Sequence, residues 1–243
     1  MNKYLYEDLY QQEETHWWHV TKTNAVLNLI SKYQKAKDLK ILDIGCGAGK
    51  NAETFTKLGK SWGIDSSTEA IKFCKRRGLK NIYLAKSDKL PFKNDFFNVV
   101  TLLDVLEHVE EKSTLSEINR VLAPNGILVI NVPAFPWLWS KWDEVLHHRR
   151  RYTRKSLEKV LSQNGLKIKK ISYTYSFLVL PAYLIRLVKS KLSQKHYSSD
   201  FAMSSKLENR LLIYISTAER MFWTKFYLPF GTSLIAVAQK QRR

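Results

Sequence analysis

The sequence predicts a doubly wound α/β fold: a Rossmann-like, mainly parallel seven-stranded sheet carrying helical and aromatic cap insertions. Two observations lead there. Short apolar runs alternate with helical patterns from residue 40 onward, the rhythm that builds βαβ units and puts helices on both sheet faces. The first run also ends in glycines spaced two apart, Gly45, Gly47 and Gly49, as a buried parallel strand requires when it turns tightly into its crossover helix.

The elements follow in order. Residues 24–33 read as a helix with Ala25, Val26, Leu29 and Ile30 on one side. The first strand is 40–44 and its helix 51–58, stopped by Gly59. Further strands are expected at 61–64, 81–85 and 96–103, with helices at 67–77 and 110–122. The run Ala123-Pro124-Asn125-Gly126 reads as a turn before a fifth strand at 126–132. After a tryptophan-rich stretch, Thr153 caps a helix at 154–163. A sixth strand is expected at 167–175, an apolar helical stretch at 177–188, and a polar basic linker to 205. A helix at 207–222 and a strand at 233–238 complete the pattern. One domain over 1–243 accommodates all of this, with 1–36 as an N-terminal lid, 37–133 as a ligand-binding core and 134–243 as substrate-side and cap elements.

Composition sets boundaries. With 44% hydrophobic residues the chain can bury a core. Its net charge of +18 favours an anionic partner, although a lysine-rich solvated surface gives the same number. Two cysteines, Cys46 and Cys74, cannot build a disulfide framework, so no disulfide partner and a reduced, cytoplasmic setting are expected. The first residues lack the apolar core of a signal peptide, and no run approaches the ~20 apolar residues of a spanning helix.

In an open α/β sheet, ligands bind beyond the carboxyl ends of the strands. Asp43 can reach across the glycine loop to orient its amides or a ligand ammonium. Asp65, at the end of the second strand, is placed to accept from both hydroxyls of a ribose. Asp88, after the third, can accept from an exocyclic amine of adenine. Carboxylates at three successive strand ends turn a weak glycine signal into a strong one. A nicotinamide enzyme remains an alternative, because Gly47, Gly49 and Ala52 satisfy a loose G-x-G-x-x-A spacing.

Residues 40–132 resemble the core of the class I S-adenosylmethionine-dependent methyltransferases, especially the group containing the ubiquinone-biosynthesis O-methyltransferases. Asp43-Ile44-Gly45-Cys46-Gly47-Ala48-Gly49 is similar to the first motif of that family, and Gly63-Ile64-Asp65-Ser66 to its ribose-binding step. Asp88-Lys89-Leu90-Pro91-Phe92 resembles the adenine-side motif, and residues 103–109 the fourth-strand motif. The resemblance implies S-adenosylmethionine as cofactor, held by Asp43, Gly45, Cys46, Gly47, Gly49, Asp65, Ser66, Asp88, Leu103 and Asp104, with Glu107 and His108 near the transfer cleft. It extends to Glu13–Trp18 and to the His-Arg-Arg-Tyr-Thr element within 142–157, which implies acceptor contacts by Trp17, Trp18, His147, Arg150 and Tyr152. Relatives usually place arginines soon after the paired tryptophans; here Val20-Thr21-Lys22 stands there.

A sulfonium methyl is already activated, so placement dominates the chemistry, and a hydroxyl acceptor also gains from a general base. His108, His147 and His148 are the candidates, with Asp143 either orienting one of them or solvated on its loop. Arg149, Arg150, Arg151 and Arg154 would suit an anionic acceptor, or form a solvated basic face. No His/Cys cluster has zinc spacing, so no metal is expected. Nucleobase methylation is disfavoured, because no Asn/Asp-Pro-Pro-aromatic run follows the fourth strand. Residues 173–188 are strongly apolar with lysines after them, which suits a core helix or an interfacial helix on an anionic membrane. The expectation is therefore O-methylation of a small-molecule or lipid-linked acceptor. The alternatives are an RNA-directed methyltransferase, for which charge and aromatic-basic interleaving argue, and an NAD(P)-dependent oxidoreductase.

Overall fold

A computed structural model describes residues 3–184 and 205–241. Seven strands form one sheet in the order β3-β2-β1-β4-β5-β7-β6. β1 (Leu39–Ile44), β2 (Gly59–Asp65), β3 (Ile82–Leu84), β4 (Phe97–Leu103) and β5 (Leu122–Pro133) run parallel. β7 (Ser233–Lys240) inserts between β5 and β6 (Leu166–Thr174), antiparallel to both. The chain winds one way through β1, β2 and β3 and the other way through β4 and β5. A crevice therefore opens at the carboxyl ends of β1 and β4.

Alternation along the buried strands divides the interior in two. Leu42, Ile44, Val100, Leu102, Leu128 and Ile130 point to one face and pack with Leu115, Ile118 and Val121 of α5 (Glu111–Val121) and Leu157 and Leu161 of α7 (Arg154–Gln163). Ile41, Val99, Ile127 and Val129 point to the other and meet Val26, Leu29 and Ile30 of α2 (Trp17–Tyr33), Phe55 of α3 (Lys50–Phe55) and Trp223 of α8 (Lys206–Trp223). α4 (Thr68–Arg76), capped by the Ser67 side chain, completes the crossover from β2 to β3.

Most expected elements are present within a few residues, and the differences have physical reasons. The unassigned N-terminus folds as α1 (Lys3–Gln12) and a seven-residue-earlier start of α2. Asn209 of α8 anchors that start, accepting from the Trp17 amide at 2.8 Å and donating to the Thr15 carbonyl. The expected turn at 123–126 lies inside β5, because Asn125 adopts φ 63° and pairing with β4 shifts register between Phe97 and Val99. A short α6 (Lys141–Val145) forms in the tryptophan-rich stretch. Of the apolar stretch at 177–188, residues 176–178 form a 3-10 turn and 179–184 are helical, while 185–188 and most of the expected linker lie outside the described residues.

Trp223 is 2% exposed and spans the interface between α8 and the sheet. Trp223→Ala should destabilise the protein by ~3–5 kcal/mol, the cost of a large cavity. Urea unfolding checks this; an unchanged midpoint would separate α8 from the core.

Candidate active site

The glycine loop is built by backbone. Gly45, Gly47 and Gly49 have φ of 71°, 54° and 92°, a region that side-chain-bearing residues rarely occupy. At Gly45 a Cβ would come within 2.4 Å of Val105. The Gly45 and Cys46 amides donate to the Ile64 carbonyl, tying the loop to β2. Asp65, at the end of β2, accepts from the Gly47 amide at 3.0 Å and the Ser67 amide at 2.9 Å. Thr101 donates to one oxygen of Asp43 at 2.6 Å, and the other oxygen, buried, has no partner among the described residues. Asp88 is exposed on the loop beyond β3.

A second group of side chains closes the crevice from the lid side. Glu13 lies against Gly47, and Arg77 of the α4 terminus reaches Glu13, Glu14, the Tyr10 carbonyl and the Ala48 carbonyl. Burial pushes the carboxyls of Glu13 and Asp43 up to about 7. Lys22 of α2 is 7% exposed, and its ammonium donates to Asp104 at 2.5 Å. Asp104 ends β4 in the left-handed region (φ 57°), and its second oxygen accepts from Asn131 at 2.6 Å. Such backbone strain in a non-glycine residue costs on the order of 1–3 kcal/mol and persists only where its surroundings impose it. Trp18 lies against Tyr175 (ring centroids 4.4 Å), and Trp17 meets Tyr175 edge-on, so both tryptophans wall the lid side.

Beyond β5, the fully buried Asp143 takes hydrogen bonds from His148 Nδ1 (2.8 Å), Arg151 Nε (2.7 Å) and Nη2 (2.9 Å), and the Ser140 amide and hydroxyl. Burial alone would raise the Asp143 carboxyl, but hydrogen bonds from His148 and Arg151 and the guanidinium charge hold it well below the usual carboxylate range. The His148 ring stands edge-on to His108, with centroids 4.7 Å apart. Burial, then the neighbouring His148, brings the His108 imidazole down to about 4. Glu107 is wholly buried, with both oxygens unpartnered among the described residues; burial and the nearby Asp104 raise its carboxyl well above the usual range. Ligand atoms of Glu107, His108 and His148 lie within 4.8 Å of one another, close enough to hold a divalent cation once Glu107 is ionised.

The structure thus gathers Asp43, Gly45, Cys46, Gly47, Gly49 and Asp65 at one end of the crevice and Leu103, Asp104, His108, His148 and Asp143 at the other. Ser66 follows Asp65 at the rim. Several expectations change. Asp143 is buried rather than solvated, because it takes the guanidinium of Arg151. That guanidinium is consequently spent within the protein, Arg150 pairs with Glu111 at 2.9 Å, and Arg154 with Glu158 at 2.8 Å. Three of the four arginines are thus paired within the protein, and Arg149 is exposed. His147 is exposed, with a left-handed backbone (φ 59°). Tyr152 is a core residue at 2% exposure, donating to Glu111 at 2.7 Å. Sequence reasoning missed Lys22 as a site residue. Its spacing with Ala25, Val26 and Leu29 placed it on the buried face of α2, where a cation needs a carboxylate.

The glycine loop, Asp65 at the end of β2 and the strained Asp104 all lie at the topological switch of a doubly wound α/β sheet. Residues 42–130 match the methyltransferase domain family. The chain is 24% identical over 230 residues to an uncharacterized protein of Methanocaldococcus jannaschii, covering 89% of this chain and 84% of that one. It is 36% identical over 100 residues to the ubiquinone biosynthesis O-methyltransferase of Pelagibacter ubique, covering 39% of this chain and 42% of that enzyme. A solved S-adenosylmethionine-dependent methyltransferase of Archaeoglobus fulgidus superposes with TM-score 0.60 at 20% identity, over 94% of this chain and 97% of that one. The chain carries a class I S-adenosylmethionine-dependent methyltransferase domain. The residues fit that cofactor: Gly45, Gly47 and Gly49 take the left-handed conformations that bend the loop tightly beside the crevice, and Asp43 keeps a buried oxygen without a partner among the described residues.

Glu13 and Asp43 carry folded-state carboxyl values near 7, above their ordinary values of 4.5 and 3.8. The folded state binds these protons more tightly than the unfolded chain does. Their contribution is therefore complete below about pH 4 and is lost as pH rises through about 7. In the cofactor-free protein, Glu13→Gln and Asp43→Asn should each flatten the fall in Tm across that window. Calorimetric melts at several pH values check this; parallel curves for wild type and both variants would refute it.

Proposed function

We propose that the chain transfers the methyl group of S-adenosylmethionine to a hydroxyl oxygen of a small-molecule or lipid-linked acceptor, with His148 as general base and Asp143 as the residue that orients it. The supporting observation is the hydrogen bond from His148 Nδ1 to a buried, anionic carboxylate. An anionic Asp143 can only accept, so Nδ1 carries a proton, and in the neutral imidazole the lone pair is on Nε2. A ring nitrogen of His148 lies within 4.8 Å of ligand atoms of Glu107 and His108.

When bound, the cofactor supplies an activated sulfonium methyl. Asp43, Asp65 and the bare loop would hold its adenosyl and amino-acid portions, and Asp88 its adenine edge. Leu103, 7% exposed, and Asp104 would bound the reacting end. Trp17, Trp18 and Tyr175 keep water from that end on the lid side. His148 Nε2 would take the acceptor proton as the oxygen–carbon bond forms, and the neighbouring His108, neutral by virtue of burial, does not compete for it.

A lipid-linked acceptor is supported by exposed Trp137 and Trp139 beside the acceptor side and by the chain's net charge of +18. No helix among the described residues is long and apolar enough to cross a membrane. The reading places the enzyme in the cytoplasm, working on an acceptor that is dissolved or presented at a membrane face.

Incubating the enzyme with labelled methyl donor and separate lipid, metabolite and RNA extracts should put label in an ether of the lipid or metabolite fraction. Label confined to RNA would replace the proposal. With that acceptor, His148→Ala should lower kcat by ~10²–10⁴-fold and leave cofactor affinity unchanged. Asp143→Asn should lower kcat in the same direction. Equal turnover by wild type and His148→Ala would remove His148 from the reaction.

A further inference from the structure

α8 is apolar on the side where a surface helix is ordinarily polar. Leu207, Leu211, Tyr214, Ala218, Met221 and Phe222 recur at intervals of four, three, four, three and one, which sets them in a single stripe along the helix. All are exposed, with Leu207 at 79%, Tyr214 at 75% and Met221 at 67%. Over that length the stripe runs for about 22 Å at 1.5 Å per residue. Phe226, Tyr227 and Phe230, each at least half exposed, continue it past the end of the helix.

The opposite face of α8 is fully employed. Asn209 holds the start of α2, and Trp223 fills the core. Glu219 accepts from the Tyr175 and Ser176 amides at 2.6 and 2.7 Å, fixing Tyr175 in its left-handed conformation (φ 58°). The helix therefore has no freedom to turn its apolar stripe inward.

We propose that the outer face of α8 docks on an anionic lipid surface. The charge around the stripe selects that occupant. Lys206, Arg210 and Lys225 flank it, all exposed. The two carboxylates of the helix lie elsewhere: Glu208 closes the capping box with Ser205, and Glu219 faces inward. An apolar stripe bordered by cations, on a chain of net charge +18, matches the two terms of interfacial binding, apolar insertion and attraction to acidic headgroups. The inner-face bonds carry the consequence: a docked α8 holds the start of the lid helix and the Tyr175 wall at the membrane face. This goes beyond the reaction proposed above, and vesicle retention is read without turnover, so either can fail alone.

The test is co-sedimentation of the full chain with vesicles of phosphatidylcholine alone or mixed with phosphatidylglycerol. Retention on the mixed vesicles should exceed that on neutral ones by on the order of tenfold. The double variant Leu211→Glu/Tyr214→Glu should lose it while keeping the wild-type melting temperature and the wild-type affinity for S-adenosylhomocysteine. Equal retention of variant and wild type would overturn the proposal, because charge elsewhere would then account for binding. Absence of retention would overturn it as well. So would a wild-type dimer in analytical ultracentrifugation that the variant loses without any vesicle binding, since a second copy would then cover the face.

Discussion

Helices wound onto opposite faces of a parallel sheet cannot both cover the place where the winding changes direction. Between β1 and β4 that constraint leaves a gap, and the rest of the molecule arranges itself around it. The glycine loop enters from one side, where only a chain without side chains can bend sharply enough. Asp104 enters from the other, held in a strained conformation by Lys22 and Asn131. The N-terminal helices and α8 matter to the site because they lean across this gap. Lys22 carries the lean: it joins α2 directly to Asp104 at the end of β4.

The charge distribution is the reverse of the chain's overall balance. A protein of net charge +18 concentrates Glu13, Asp43, Asp65, Asp104 and Glu107 around one crevice, with Lys22 and Arg77 as the cations facing them. Burial makes ionisation of these carboxyls costly, and four of them, Glu13, Asp43, Asp65 and Glu107, respond by holding protons at higher pH than usual. A ligand bearing a sulfonium and an ammonium offsets part of that cost, whereas the demethylated product brings one positive charge fewer.

Much of this was legible from residues alone. Strand runs, the glycine spacing and aspartates at strand ends follow from backbone rules and short-range chemistry, so β1, β2, β4 and the glycine loop between β1 and α3 could be placed without coordinates. What escaped depends on contacts far apart in sequence. The start of α2 at Trp17 needs Asn209, and the continuity of β5 through Pro124 and Asn125 needs β4 beside it. Asp143 looked like a loop carboxylate because its neighbours in sequence are polar; its burial is decided by Arg151 folding back over it. Tyr152 and the arginines stood in a run suggestive of recognition, yet Glu111 and Glu158 had already claimed three of those groups.

β6 is hydrogen-bonded to the sheet only through β7, a strand that follows it by 59 positions in the numbering from Thr174 to Ser233. During synthesis, β1 to β5 can assemble as they emerge, whereas β6 must wait without a neighbour until β7 has left the ribosome. In that interval the edge of β5 presents unpaired backbone N–H and C=O groups, a template for pairing with another chain. Completing this protein is therefore an act of insertion into a preassembled half-sheet.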